Sequence, residues 1–82
     1  MESQEYSFML DFFPLVDAVQ DQNRLFAESL QCAALDMLWS HRLQKAFAAD
    51  RLQLLLRLAS DLGYIDQEVL VYLDRQLGKI KA

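Results

Sequence analysis

Few residues in this 82-residue chain interrupt a helix. Its one proline is Pro14 and its two glycines are Gly63 and Gly78, and none of them lies in a Gly/Ser-rich linker. The rest of the chain is rich in leucine, alanine, glutamine, glutamate and arginine, which are strong helix formers. The sequence therefore predicts a single all-α domain over residues 1–82. We expect a small helical bundle of about four helices with one long central helix.

The proline is expected to separate the first two helices. A short helix is predicted over residues 3–12, because the residue before a proline is pushed out of the α region. A break near residues 13–14 should follow, with Asp11 available to cap the next helix. That helix is the long one, since nothing in the sequence stops it over residues 14–48. A break near residues 40–41 stays open as an alternative.

The long helix carries apolar residues on two neighbouring faces. A surface helix needs only one apolar stripe, so a second stripe indicates a helix packed on two sides or a dimer seam. The first stripe follows three-, four- and seven-residue steps and comprises Val19, Phe26, Leu30, Ala33, Met37 and His41. We expect the second stripe to form the seam of a homodimer, through Leu25, Cys32, Trp39 and Leu43.

Two shorter helices are predicted in the remainder of the chain. Asp50 is a suitable N-cap for a helix over residues 51–62, and Gly63 suits the left-handed position just past its end. Asp66 is a suitable N-cap for the last helix. We therefore expect a tight corner between the third and fourth helices.

The apolar content is high for so short a chain. Hydrophobic residues make up 54% of it, whereas ordinary globular chains reach about 45–50% with glycine included. A domain of this size buries only about 60% of its unfolded surface, and large exposed apolar patches mark binding surfaces. We expect the surplus to be covered by a second copy of the chain and by another protein. The expected partner surface comprises Phe8, Phe12, Leu54, Leu58 and Val71.

Charge and cysteine content argue against several classes of partner. The net charge is −4 and the pI is about 4.7, whereas binding to phosphates or to anionic membranes calls for clustered lysine and arginine. Cys32 is the one cysteine, so no intramolecular disulfide is expected. The N-terminus lacks the basic region of a signal peptide, and no apolar run approaches the roughly 20 residues of a membrane span. We expect a cytoplasmic protein that binds neither nucleic acid nor membranes.

No arrangement of residues suits catalysis or the binding of a small ligand. Cys32 and His41 are the one cysteine and the one histidine, and on a continuous helix they would lie about 13 Å apart along the axis. That is too far for a nucleophile and its base. Zinc usually takes four ligands, and no glycine-rich turn is present to hold phosphates. We therefore expect no enzymatic activity, metal, cofactor or small-molecule ligand.

The corner over residues 57–74 is the most specific local pattern. The spacing of Ala59, Gly63 and Val69 fits a helix-turn-helix, in which small residues let two helices cross closely. Any tight helical corner favours the same residues, however, and the second helix opens on acidic residues beginning with Asp66. Negative charge there would meet base edges and phosphates poorly.

These features predict a small intracellular regulatory or adaptor protein. It would act by protein–protein interaction as a homodimer, binding or inhibiting a partner. Two alternatives stay open: a secretion-type co-chaperone held in a heterocomplex, and a helix-turn-helix transcriptional regulator. The apolar surface left exposed on the folded chain is the feature that separates a binding module from a self-contained domain.

Overall fold

The computed structural model describes the backbone of residues 3–81 and the side chains of that range other than those of residues 3, 42 and 43. This part of the chain forms four α-helices, and the prediction of an all-α fold is confirmed. The helices are α1 (Ser3–Gln20), α2 (Arg24–Trp39), α3 (Arg42–Asp61) and α4 (Gln67–Lys81).

The four helices form a closed ring around one core. Each helix packs against its neighbour in sequence, and α1 also packs against α4. The connections are short, so successive helices run in opposite directions. The molecule measures 33 × 22 × 19 Å, and the 18 residues of α1 span about 27 Å of the long axis. The predicted helical bundle is therefore present, with helices of similar length.

The core contains apolar residues from all four helices. Phe8 and Phe12 lie at its centre and stack with their ring centroids 5.3 Å apart. The largest fully buried side chains are Phe8, Phe12, Val19, Leu30, Met37, Leu52, Leu56, Leu73 and Leu77. The expected placement of Phe8 and Phe12 on a partner surface is therefore corrected. Both occupy the buried stripe of a longer α1, and neither is available to a partner in this fold.

Helix α1 continues through Pro14, so the predicted break at residues 13–14 is wrong. A proline inside a helix removes the hydrogen bond to the carbonyl four residues earlier. Here that carbonyl belongs to Leu10, and both Leu10 and Pro14 are exposed, so water can satisfy the oxygen. On the opposite side, Phe12 and Val16 are buried. Their packing holds the helix together across the proline.

The expected single long helix is divided at both ends of α2. The first break covers residues 21–23, where Asn23 caps α2 by accepting a hydrogen bond from the Phe26 N–H at 3.0 Å. The second is at Ser40 and His41, as in the alternative left open by the sequence. The cap at Asn23 was missed because the surrounding residues also suit a helix interior.

Helix α3 begins at Arg42 and not at residue 51, so Asp50 is a helix-interior residue and not an N-cap. The predicted end is correct. Gly63 has a φ of 82°, and its N–H donates to the Ser60 carbonyl at 3.0 Å. The Tyr64 N–H donates to the Ala59 carbonyl at 2.8 Å, which completes a Schellman motif.

Among the described residues, an ion pair crosses the bundle between α1 and α3, which are not neighbours in the ring. Lys45 Nζ of α3 donates to Glu5 Oε1 of α1 at 2.5 Å. The Glu5 side chain is 6% exposed and that of Lys45 is 21% exposed. A carboxylate buried to this degree requires its partner, because an unpaired charge in the interior is strongly destabilising.

The two glycines provide a matched pair of substitutions. Gly63→Ala should lower the free energy of unfolding by about 1–2 kcal/mol, because an L-residue is strained at the left-handed φ. Gly78→Ala should raise it by about 0.5 kcal/mol, since Gly78 is helical and a Cβ there meets no atom within 4 Å. Urea unfolding followed by circular dichroism measures both values. A stabilising Gly63→Ala would contradict the assigned turn.

Removing either partner of the Glu5–Lys45 pair should lower the free energy of unfolding, but by unequal amounts. Lys45→Met should cost about 3 kcal/mol because Glu5 is left charged and buried, whereas Glu5→Gln should cost about 1 kcal/mol because Lys45 can reach water. The double variant Glu5→Leu with Lys45→Met should recover most of the loss. Chemical denaturation provides the comparison, and equal losses in the two single variants would show that the pair is not buried as described.

Candidate interaction surface

Large apolar side chains remain outside the core, and most of them lie on α2 and α3. Among the described residues, six on these two helices and the α3 cap are between 45% and 77% exposed, and the exposed thiol of Cys32 lies among them. We call this surface the α2–α3 face. It comprises Leu25, Cys32 and Trp39 of α2, and Phe47, Leu54, Leu58 and Leu62 at the outer side and C-terminal cap of α3.

The residues on α3 form one stripe because of their spacing. Phe47, Leu54, Leu58 and Leu62 follow steps of seven and four residues, which keep them on one side of a helix. The buried residues of α3, including Leu52 and Leu56, lie on the opposite side. On α2, the seven-residue steps between Leu25, Cys32 and Trp39 produce the same effect. Both stripes therefore point away from the core.

An ion pair shows that the two stripes lie side by side. Arg51 of α3 donates to Asp36 of α2, so these residues lie at the same level of two antiparallel helices. Counting in opposite directions from this pair puts Trp39 level with Ala48, and Leu25 level with Leu62. The stripes therefore run along the whole length of the α2–α3 face.

The other end of the bundle is held by Tyr64. Asn23 Nδ2 donates to the Tyr64 hydroxyl at 3.0 Å, and Gln22 Nε2 donates to the Tyr64 carbonyl at 3.3 Å. The Phe26 ring meets the Tyr64 ring edge-on, with centroids 5.4 Å apart. These contacts tie the α1–α2 turn to the α3–α4 turn and keep α2 and α3 in register.

A groove of about 610 Å³ lies where the C-terminus of α2 meets the N-terminal half of α3. Trp39 and Phe47, each 77% exposed, line it. His41 and the Asp36–Arg51 pair also line it. Tryptophan and arginine are the residue types most enriched among those that dominate binding energy. The groove is thus the most distinctive part of the α2–α3 face.

The structure brings together residues that the sequence assigned to two separate surfaces. Leu25, Cys32 and Trp39, expected in a dimer seam, lie on the same face as Leu54 and Leu58, expected to meet a different partner. The side chain of Leu43, the fourth residue of the expected seam, lies outside the described residues. Val71 is exposed, but it lies on α4.

Two residues of the face, Phe47 and Leu62, were not identified from the sequence. Leu62 was the last residue of the predicted third helix, and Phe47 lay near the end of the expected long helix. Once α3 is known to begin at Arg42, both fall on the stripe that contains Leu54 and Leu58. Both residues were therefore missed because the start of α3 was predicted at the wrong residue.

Metal sites and membrane spans were searched for in the described part of the chain. Among residues 3–81, no group of three or more His, Cys, Asp and Glu side chains could hold a metal ion. The described helices also include none that is long and apolar enough to cross a membrane.

A polar cluster joins α1 and α4, away from the α2–α3 face. The Tyr72 hydroxyl donates to Asp11 Oδ2 at 2.9 Å, and Gln76 Nε2 donates to the same oxygen at 3.1 Å. The hydrogen bond to Asp11 raises the pKa of Tyr72 above its ordinary value of 10.0, and desolvation and the Asp11 charge act in the same direction. The Gln76 hydrogen bond opposes them.

Alkaline titration tests this cluster. Because the folded pKa of Tyr72 lies above 10.0, its contribution to stability is present below pH 10.0 and is lost as the pH rises through the folded pKa. Asp11→Asn should lower the pKa of Tyr72 towards 10.0. Tyrosinate absorbance measures the shift, and Tyr72→Phe identifies the component that belongs to this residue. An unchanged titration in Asp11→Asn would contradict the hydrogen bond.

Comparison with known proteins shows no family for this chain. No protein-family model matches it, and no curated protein or solved structure matches it.

Proposed function

We propose that this chain is a homodimeric regulatory or adaptor protein that acts by protein–protein interaction, with the α2–α3 face as its dimer seam. The observation that carries the proposal is the set of exposed apolar side chains that recurs along two adjacent helices. A scattered exposed leucine needs no explanation, but a contiguous patch along a whole face marks an interaction site.

The size of the face supports a stable interface. Its six large side chains, 45–77% exposed, offer on the order of 700 Å² of apolar surface, close to the roughly 800 Å² that each partner contributes to a standard interface. A crystal-packing or chance contact is usually smaller than this. A second copy of the chain presents the same area, so a symmetric dimer would cover both faces together.

The chemistry of the face favours a protein over a nucleic acid. Its aromatic and leucine side chains suit the desolvated centre of a protein interface. The positive charge of Arg51, which lies between the two stripes, is already paired with Asp36. A surface that binds phosphates would need several unpaired cations.

Dimerisation through this face leaves α4 for a second protein. Val71 and Tyr72 are both about half exposed on α4, and they border a groove together with Arg75 and Glu68. This mixture of apolar and charged groups is typical of a smaller, transient contact. We therefore propose that the dimer presents two copies of α4 to the protein that it regulates.

Leu54→Glu and Leu10→Glu form a matched test of the dimer seam. Leu54 is 66% exposed on the α2–α3 face, and Leu10 is 59% exposed on α1. Leu54→Glu should raise the dimer dissociation constant by at least 100-fold, because a charge would be buried at the interface. Leu10→Glu should leave it within about threefold, a shift of less than 1 kcal/mol.

Light scattering across a concentration series measures the dissociation constant. Trp39, the only tryptophan, provides a second readout, since its emission should shift to the blue as it leaves water on dimerisation. Both variants should retain wild-type helix content by circular dichroism. A wild-type chain that stays monomeric at high micromolar concentration would rule out the homodimer, and equal effects of the two variants would rule out this face.

A further inference from the structure

We infer that the two copies meet with their two-fold axis parallel to the helices, so that Asp36 of each protomer faces Arg51 of the partner subunit. This inference rests on the homodimer proposed above and specifies its geometry. It follows from the position of the Asp36–Arg51 pair on the α2–α3 face. Both side chains remain more than half exposed although they are paired with each other, so both have room for a further partner.

Symmetry leaves two simple ways to place one α2–α3 face on another. A two-fold dimer uses the same patch on both copies, and for two flat faces the axis lies in the plane between them. If the axis is perpendicular to the helices, α2 packs on α2 of the partner subunit and the levels are reversed. If the axis is parallel to the helices, α2 packs on α3 of the partner subunit and the levels are kept.

Charge complementarity separates the two arrangements. Cys32 lies halfway between Leu25 and Trp39, so it marks the middle of the face. With the perpendicular axis, levels reverse about this middle, and Asp36 comes to the level of Glu28 of the partner subunit. Glu28 is half exposed, with Arg24 at 3.4 Å on its own helix. Like charges facing each other across an interface disfavour association.

With the parallel axis, opposite charges meet. Asp36 and Arg51 lie level on adjacent helices, so the two-fold operation puts each of them over its opposite in the partner subunit. The four groups then alternate in sign at the corners of a square. Such reciprocal pairing selects one arrangement over its alternatives, which is the main contribution of charges within an interface.

The apolar residues match in the same arrangement. Keeping the levels brings Trp39 to the level of Phe47 of the partner subunit, and Leu25 to the level of Leu62 of the partner subunit. Aromatic side chains therefore meet at one end and leucines at the other.

Charge reversal tests the arrangement by restoring the interaction between different chains. In Asp36→Arg, the introduced side chain and Arg51 give the pair two positive charges. In Arg51→Asp, the introduced side chain and Asp36 give it two negative charges. Each variant alone should dimerise at least tenfold more weakly than wild type, because like charges would face each other. An equimolar mixture should form heterodimers with near wild-type affinity, and the double variant should form homodimers again.

The mixture is the decisive sample, because an ion pair that acted only within one chain could not be restored by a second chain. Analytical ultracentrifugation measures the masses, with one variant carrying a small fusion tag so that the heterodimer is resolved from either homodimer. Circular dichroism verifies that each variant is folded. Lys79→Asp, on the exposed side of α4, is a charge-reversal control and should leave dimerisation unchanged.

Cys32 provides a second measurement on the unmodified chain. In the parallel arrangement the two thiols lie on helices that are diagonal to each other, so the helix axes are about 11–14 Å apart, the diagonal of a square whose side is one helix spacing of roughly 8–10 Å. Mild oxidation should then form no disulfide, which needs the two Cα atoms within about 7 Å, whereas a bismaleimide linker of about that spacing should join the protomers. The perpendicular arrangement puts the two thiols together, so rapid disulfide formation would overturn the inference.

The outcomes separate this inference from the proposal on which it rests. A wild-type chain that is monomeric at every concentration would remove both. A stable wild-type dimer whose charge variants fail to restore each other in the mixture would overturn the geometry and leave the homodimer standing. Restored heterodimers together with the linker-dependent crosslink would support both.

Discussion

The limited depth of a four-helix ring is the constraint on which the rest of the structure depends. Each helix of such a ring can turn only one stripe towards the shared core, and the centre is filled by side chains such as Phe8 and Phe12. Helices α2 and α3 carry apolar residues on their outer sides as well. Monomer folding cannot cover those residues, so the ring necessarily leaves an apolar face. An interaction with another chain would use that face, because the core residues already pack against one another.

Tyr64 helps to hold α2 and α3 in a fixed alignment along that face. Its hydroxyl, carbonyl and ring meet Asn23, Gln22 and Phe26 respectively, so one residue joins the two turns at the same end of the bundle. The Asp36–Arg51 pair performs the equivalent task nearer the other end. A slip of α2 against α3 by one turn would break both sets of contacts. The two outer stripes are therefore aligned by polar contacts that lie outside the core.

Much of the fold could be predicted from local signals, and the failures share one cause. Gly63 ends α3 as expected because few other residues accept its φ of 82°. Pro14 was misjudged because its effect depends on whether the freed carbonyl faces water, and this is set by tertiary packing. The α2–α3 turn was left open as an alternative, and the start of α3 was predicted too late, because Ser40 and His41 suit either a helix or its end.

The sequence predicted several residues of the candidate surface, but it did not predict that they lie on one face. Leu25, Cys32 and Trp39 are exposed, as a seam requires, because their seven-residue spacing separates them from the buried stripe. Phe8 and Phe12 were wrongly placed on a partner surface because the first helix was expected to be short. In the longer α1 both residues lie on the side that faces the core. Leu54 and Leu58 lie beside the expected seam because α2 and α3 pack antiparallel with a particular alignment. Sequence periodicity alone does not predict that alignment.

The order of contacts around the ring has a consequence for how the chain reaches this state. Three of the four helix pairings join neighbours in sequence, and only the pairing of α1 with α4 closes a long loop. Chains dominated by local contacts fold in microseconds to milliseconds, far faster than two dilute copies meet by diffusion. The monomer is therefore complete, with its apolar face exposed, before any encounter. In the proposed dimer, assembly would be the docking of two finished surfaces, at a rate that rises with the concentration of the chain.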